Sequence, residues 1–299
     1  QKKKRTAFAQ SDTGKQIMTA MIDAVRRKEA SGMVERFSHH SFLTLRLCDN
    51  ICCGCVIRDE YSQETVELSG DAVIVATGGM HGLFGNTTGS LSNTGEVTAE
   101  LFRLGVPLAN GEMIQYHPTT VKCGGKRMLI SEAARGEGGR LFAMKDGKQW
   151  YFMEEKYPEL GNLMPRDITA REIWKVSHES EVFLDMTEIS EEIISNKLSG
   201  LADDCMTYLH KDIRKEPVSV LPGIHYFMGG ILVDEQHRTP IQNLCAAGEC
   251  CAQYHGANRL GGNSLLGALY GGRVAAKSAC EQADVVDLSC ATQIDVPPA

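Results

Sequence analysis

The stretch His255-Gly256-Ala257-Asn258-Arg259-Leu260-Gly261-Gly262-Asn263-Ser264-Leu265-Leu266 constrains this chain more than any other. A compact loop with one imidazole, one guanidinium and three glycines runs directly into an apolar helix. Glycine carries no Cβ, so such a backbone can approach a flat ligand closely. Arg259 supplies a rigid donor fork matched to a carboxylate or phosphate. Ser264 is expected at the N-cap of the helix, whose free N–H groups and positive end would face the same ligand. That chemistry suits an electron-rich group. The competing reading is a Gly-rich loop with a solvated arginine, and the surrounding segments decide between them.

Upstream, Leu244-Cys245-Ala246-Ala247-Gly248-Glu249 reads as a buried strand ending in Gly-Glu, the form of a ribose-hydroxyl acceptor after a dinucleotide-fold strand. Asp71-Ala72-Val73-Ile74-Val75-Ala76-Thr77-Gly78-Gly79 reads as a fully buried strand entering a small-residue turn. Asn93-Thr94-Gly95-Glu96 then opens a helix that reaches Leu104. Asn93 and Glu96 have capping-box spacing, which gives Glu96 a purely structural alternative.

The chain of 299 residues is long enough for more than one domain. A net charge of −7 argues against nucleic acid or a membrane surface as the main partner. No apolar run approaches the ~20 residues that span a bilayer. The basic start Gln1-Lys2-Lys3-Lys4-Arg5 is not followed by the apolar segment of a signal peptide. Eleven scattered cysteines suit a reducing compartment, so a cytoplasmic location is expected. Cys48, Cys52, Cys53 and Cys55 match neither zinc nor ferredoxin spacing, so no metal is expected. They read as small apolar side chains on a hairpin. Apolar residues at three and four predict a helix over 13–27, capped by Asp12 or Thr13, and residues 42–47, 52–58 and 65–68 read as short strands.

The Leu244–Glu249 and His255–Leu266 segments together resemble the C-terminal FAD signature of the fumarate reductase/succinate dehydrogenase flavoprotein subunit family, which includes L-aspartate oxidase. Further segments resemble that family in order: Ala76-Thr77-Gly78-Gly79, Gln115-Tyr116-His117-Pro118-Thr119-Thr120, Ser131 to Gly139, Pro165-Arg166-Asp167, and Gly223 to Gly230. The resemblance covers about residues 6–282. It implies an α/β fold with an α+β insertion, in which part of a Rossmann-like FAD-binding domain holds an inserted capping domain. The expected divisions are 1–110 for the first part of the FAD-binding domain, 111–223 for the capping domain and 224–282 for the second part. A tail at 283–299 shows no periodicity. No Gly-x-Gly-x-x-Gly opens a strand–turn–helix in residues 1–60. Family members begin with one and end in a helical domain, so the chain is expected to be a fragment that is inactive alone.

The resemblance also implies roles. His117 and Ser131 would hold one carboxylate of a four-carbon dicarboxylate, and His225 and Arg259 the other. Arg166 would be the acid/base, reprotonated through Glu132 and Arg135. FAD would be the cofactor, touched by Ala76, Thr77, Gly78, Glu96, Glu249, Asn263, Ser264 and Leu265. The family usually has an aspartate followed by glycine where this chain has Glu96-Val97. The bland alternatives are a satisfied loop histidine at 117, a helix capped by Asp167 after a solvent-facing Arg166, and a local Arg135–Glu137 pair. The implied reaction is interconversion of fumarate and succinate by hydride transfer at flavin N5 with proton transfer by an arginine. The alternatives are L-aspartate oxidation and a non-catalytic binding fragment. An iron–sulfur or other electron-transfer partner is expected.

Overall fold

The computed structural model describes residue 9 and residues 13–282, so the tail and Asp12 lie outside the described residues. The chain divides into two compact units. One gathers Gln1–Arg26, Phe84–Leu91 and Gln115–His225, and the other Arg27–Leu83, Ser92–Ile114 and Tyr226–Ala299.

The second unit holds the antiparallel meander His40–Cys48, Ile51–Asp59 and Thr65–Ser69, close to the expected strands. Its hairpin buries Cys52 and Cys53 completely as apolar side chains. Cys48 departs from the free-thiol expectation in being disulfide-bonded. Among the described residues, no cluster of histidine, cysteine and acidic side chains is arranged to hold a metal. Val73–Val75 pairs in parallel with Leu244–Ala246, register Ile74 to Cys245. Leu244, Ala246 and Val75 face a core with Leu45, Leu101 and Ile231. On the other face, helix Asn263–Gln282 seats Ala275 and Ala279 against Cys245. Ile74 lies on that same face and is 40% exposed. The expectation of a fully buried strand within 71–79 is corrected: the strand is Val73–Val75 and only Val75 of it is buried.

The first unit is built on a core containing Ile130, Leu141, Ile173, Leu184 and Ile213. Antiparallel strands Val218–Ser219, Val182–Asp185, Arg140–Lys145 and Lys148–Trp150 form one sheet in that order. A second sheet orders Leu221–Phe227, Ile114–Cys123 and Lys126–Leu129. His117 thus stands on a strand rather than in a loop. Successive side chains of a strand alternate faces, so Gln115, His117 and Thr119 share one, and all three are buried.

The first helix runs Thr13–Ala30, three residues beyond the predicted end at 27, and Met18, Met21, Ile22 and Val25 on its apolar stripe are exposed. No helix among the described residues is long and apolar enough to cross a membrane.

Candidate active site

Arg166 is the first residue of helix Arg166–Val176, with Pro165 at the N-cap. Pro165 supplies the fixed φ that starts the helix, so Asp167 lies in the first turn and is not the cap. Arg166 is buried, not solvent-facing. Its Nε and Nη2 donate to Glu132 Oε2 at 3.1 and 2.9 Å, and its Nη1 donates to Gln115 Oε1 at 3.1 Å. Three donors of one guanidinium are thereby fixed by two side chains from different elements.

Glu132 opens the short helix Glu132–Gly136, which Ser131 caps by accepting from Ala133 N at 3.2 Å. Ser131 therefore has a structural duty that the sequence reading did not include, while its own O–H still has a proton to donate. Arg135 sits one turn on, its side chain fully buried. It donates to Glu132 Oε1 at 3.4 Å and to the Asn162 carbonyl at 2.6 Å. The alternative of a local Arg135–Glu137 pair does not form: Glu137 instead accepts from Lys197. Glu132 thus lies between two guanidiniums, giving the contiguous chain Arg166, Glu132, Arg135. Burial pushes the Arg135 pKa down, partly offset by Glu132, with Arg166 adding to the lowering.

His117 has no solvent exposure, and among the described residues its Nε2 has no hydrogen-bond partner. Its Nδ1 lies 3.1 Å from the Thr119 carbonyl oxygen and 3.3 Å from Thr119 N. Burial, then the charges of Arg166, His225 and Arg135, hold the imidazole well below its usual pKa. It is neutral at physiological pH, and Nε2 is an orphaned polar atom awaiting a partner. His225 meets the His117 ring edge-on at 5.2 Å and shares a 2.8 Å hydrogen bond with Thr88 Oγ1.

Arg259 belongs to the other unit, where its guanidinium lies over the Tyr226 ring at 4.5 Å. Sequence reasoning identified neither Gln115 nor Tyr226 as a site residue. The shared strand face of Gln115 and His117 was a usable signal; the Tyr226 contact had none.

The second unit also carries the residues expected around a flavin cofactor. Glu249 lies in the single turn Gly248–Cys250 after strand Leu244–Ala246. Its Oε1 accepts from Phe227 N at 3.0 Å and lies 2.9 Å from His81 Nε2. Thr77, Gly78, Gly79 and Glu96 line a cleft of about 280 Å³. Glu96 starts helix Glu96–Arg103 and is exposed. Gly95, at φ 82°, is the N-cap without a side-chain cap bond, so the capping-box alternative does not form. Helix Asn263–Gln282 begins one residue before Ser264, after Gly262 at φ 81°. Ser264 is consequently a first-turn residue and not the cap, but the Ser264 and Leu265 N–H groups keep the position that lacks intrahelical acceptors. An oriented carboxylate, a glycine-lined cleft and a helix N-terminus offer donors and acceptors of the kind that suit a nucleotide cofactor.

Comparison with known proteins supplies the family. The FAD binding domain family matches residues 1–265. The succinate dehydrogenase flavoprotein subunit of Bacillus subtilis is 42% identical, over 95% of this chain and 50% of that protein. L-aspartate oxidase of Clostridium perfringens is 34% identical, over 89% of this chain and 58% of its own length. A solved structure of E. coli quinol fumarate reductase superposes with a TM-score of 0.86 at 30% identity, covering 96% of this chain and 52% of that one. The chain spans about half the length of the curated relatives it matches. It belongs to the FAD binding domain family, among flavoprotein relatives that include succinate dehydrogenase and fumarate reductase subunits and L-aspartate oxidase.

Proposed function

We propose that this chain is the substrate-handling and part of the FAD-holding portion of an oxidoreductase that interconverts fumarate and succinate. The observation carrying this reading is the fixed Arg166, held by Glu132 and Gln115 beside the orphaned imidazole of His117. We assign the unit with the parallel strand pair to a Rossmann-like FAD-binding domain and the other to an inserted capping domain. Residues 76–78, Glu96, Glu249, Asn263, Ser264 and Leu265 hold the cofactor. FAD, when bound, supplies the hydride chemistry.

The protein's own residues do the rest. Neutral His117 donates to one substrate carboxylate, with the Ser131 hydroxyl as second donor. His225 takes the other carboxylate; the part of Arg259 in that clamp rests on the family resemblance. Holding both ends aligns the double bond, which converts a diffusional encounter into an oriented one. Charge builds on the carbon adjacent to the one that receives hydride, and fixed donors aimed at its carboxylate favour the transition state over the ground state. Arg166 gives its proton to that carbon. A guanidinium is charged throughout the accessible pH range, so its neutral form must be refilled at once. Glu132, in contact with Arg166 and Arg135, is placed to relay a proton to it from Arg135, returning to the carboxylate form when the transfer is complete. Electrons are exchanged with a partner, iron–sulfur or other.

The test is a substrate panel on the full-length protein: dye-coupled succinate oxidation and fumarate reduction against aspartate-dependent peroxide formation. Turnover of the succinate/fumarate pair supports the proposal. Turnover of aspartate alone replaces it with an L-aspartate oxidase reading.

A further inference from the structure

The carboxylate of Glu249 is built more tightly than a loop-end acid needs to be. Three elements converge on its Oε1. The first is the Phe227 backbone N–H at 3.0 Å, and the second is His81 Nε2 at 2.9 Å. The third is Gly79, where a Cβ would come within 2.7 Å of both Oε1 and the Phe227 ring. His81 is itself buried at 3% exposure and meets the Phe227 ring edge-on at 5.0 Å. A buried imidazole with its ring packed is held in one orientation, and its Nε2–H is aimed at the carboxylate. One oxygen of Glu249 is thereby occupied, and the side chain retains 22% exposure.

We propose that His81 is a positioning residue for the cofactor: it locks Oε1 of Glu249 so that the other oxygen is preset to accept a sugar hydroxyl of FAD. This inference rests on the reading of Glu249 as an FAD contact. Free rotation of a glutamate side chain must be frozen on binding, and pre-ordering it removes that cost from the binding equilibrium. The donor also fixes which oxygen faces outward, which a rotating carboxylate would not. Nothing in the sequence around Met80-His81-Gly82 signals this duty, since the partner is 168 positions away.

The experiment uses the full-length protein, stripped of flavin and titrated with FAD by fluorescence quenching. His81→Phe keeps a ring against Phe227 but removes the donor; His81→Gln keeps an N–H donor. Loss of one hydrogen bond to a charged group should weaken FAD binding about tenfold or more in His81→Phe, with His81→Gln within about threefold of wild type. The pair His81→Phe/Glu249→Gln should bind FAD no more weakly than Glu249→Gln alone, because His81 acts only through Glu249. Unchanged FAD affinity in His81→Phe overturns the inference, as do additive losses in the double variant. If Glu249→Gln itself leaves FAD binding intact, the assignment of Glu249 fails first, and the inference falls with it. Should His81→Phe prove unstable to heat, His81→Leu, which is smaller and also lacks the donor, takes its place both alone and paired with Glu249→Gln, and the same outcomes decide.

Discussion

Protonation of His117 is the perturbation whose consequence follows most directly from the geometry. Burial, reinforced by Arg166, His225 and Arg135, holds this imidazole well below its ordinary value. The unfolded chain returns it to about 6.5. Between those two values the unfolded state binds the proton and the folded state does not, so stability rises with pH. The penalty is absent well above the unfolded value and grows as pH falls through it. For one such histidine the loss between about pH 6.5 and 5.5 is about 1 kcal/mol. Trp150 and Trp174 are the chain's two tryptophans, and both lie in the unit that holds His117. Urea unfolding followed by tryptophan fluorescence therefore reports on that unit. The wild type should lose about 1 kcal/mol more than His117→Gln across that interval. Carboxylates held below their usual range by hydrogen bonds and ion pairs, such as Glu154 and Asp212, titrate lower and cancel in the difference. Equal pH slopes in the two proteins would refute the claim that His117 is kept neutral.

Three further outcomes are expected. Gly79→Ala should displace the Glu249 carboxylate or the Phe227 ring, weakening FAD binding and costing about 1–3 kcal/mol of stability, as overpacking does; thermal unfolding with and without FAD separates the two. Gly230→Ala should be more damaging, because its Cβ would come within 2.2 Å of the Cys250 carbonyl oxygen, a backbone atom that cannot rotate away; soluble yield and melting temperature read it. Arg259→Lys keeps charge but loses the fork and the stacking over Tyr226, so fumarate binding should weaken by about 1–3 kcal/mol in flavin difference spectra.

Much of this was legible because the signals were local. The Gly-Gly start of the 263–282 helix, the Gly-Glu strand end and the segment order are all contained in short runs. What escaped was set by distant partners. Arg166 was expected as the acid/base beside Glu132, but its hydrogen bond to Gln115, which comes from another element, went unread. Asp167 and Ser264 were expected as caps but lie two residues beyond Pro165 and Gly262, the residues that precede the helix starts at Arg166 and Asn263. Ser131 read only as a ligand group, although capping the helix of Glu132 is what aims that carboxylate at two arginines. His81 carried no signal, since its purpose exists only once Glu249 is folded beside it.

The central claim is that Arg166 moves the proton while His117, Ser131 and His225 hold substrate. The most direct measurement compares turnover and fumarate dissociation constant for Arg166→Gln in the full-length enzyme, with a dye donor and flavin difference spectra. The account predicts a fall in turnover of ~10²–10⁴-fold, the usual contribution of a general acid, with affinity changed only a few-fold. Glu132→Gln should show the same pattern more mildly. Near wild-type turnover in Arg166→Gln would contradict the mechanism, whatever family the chain belongs to.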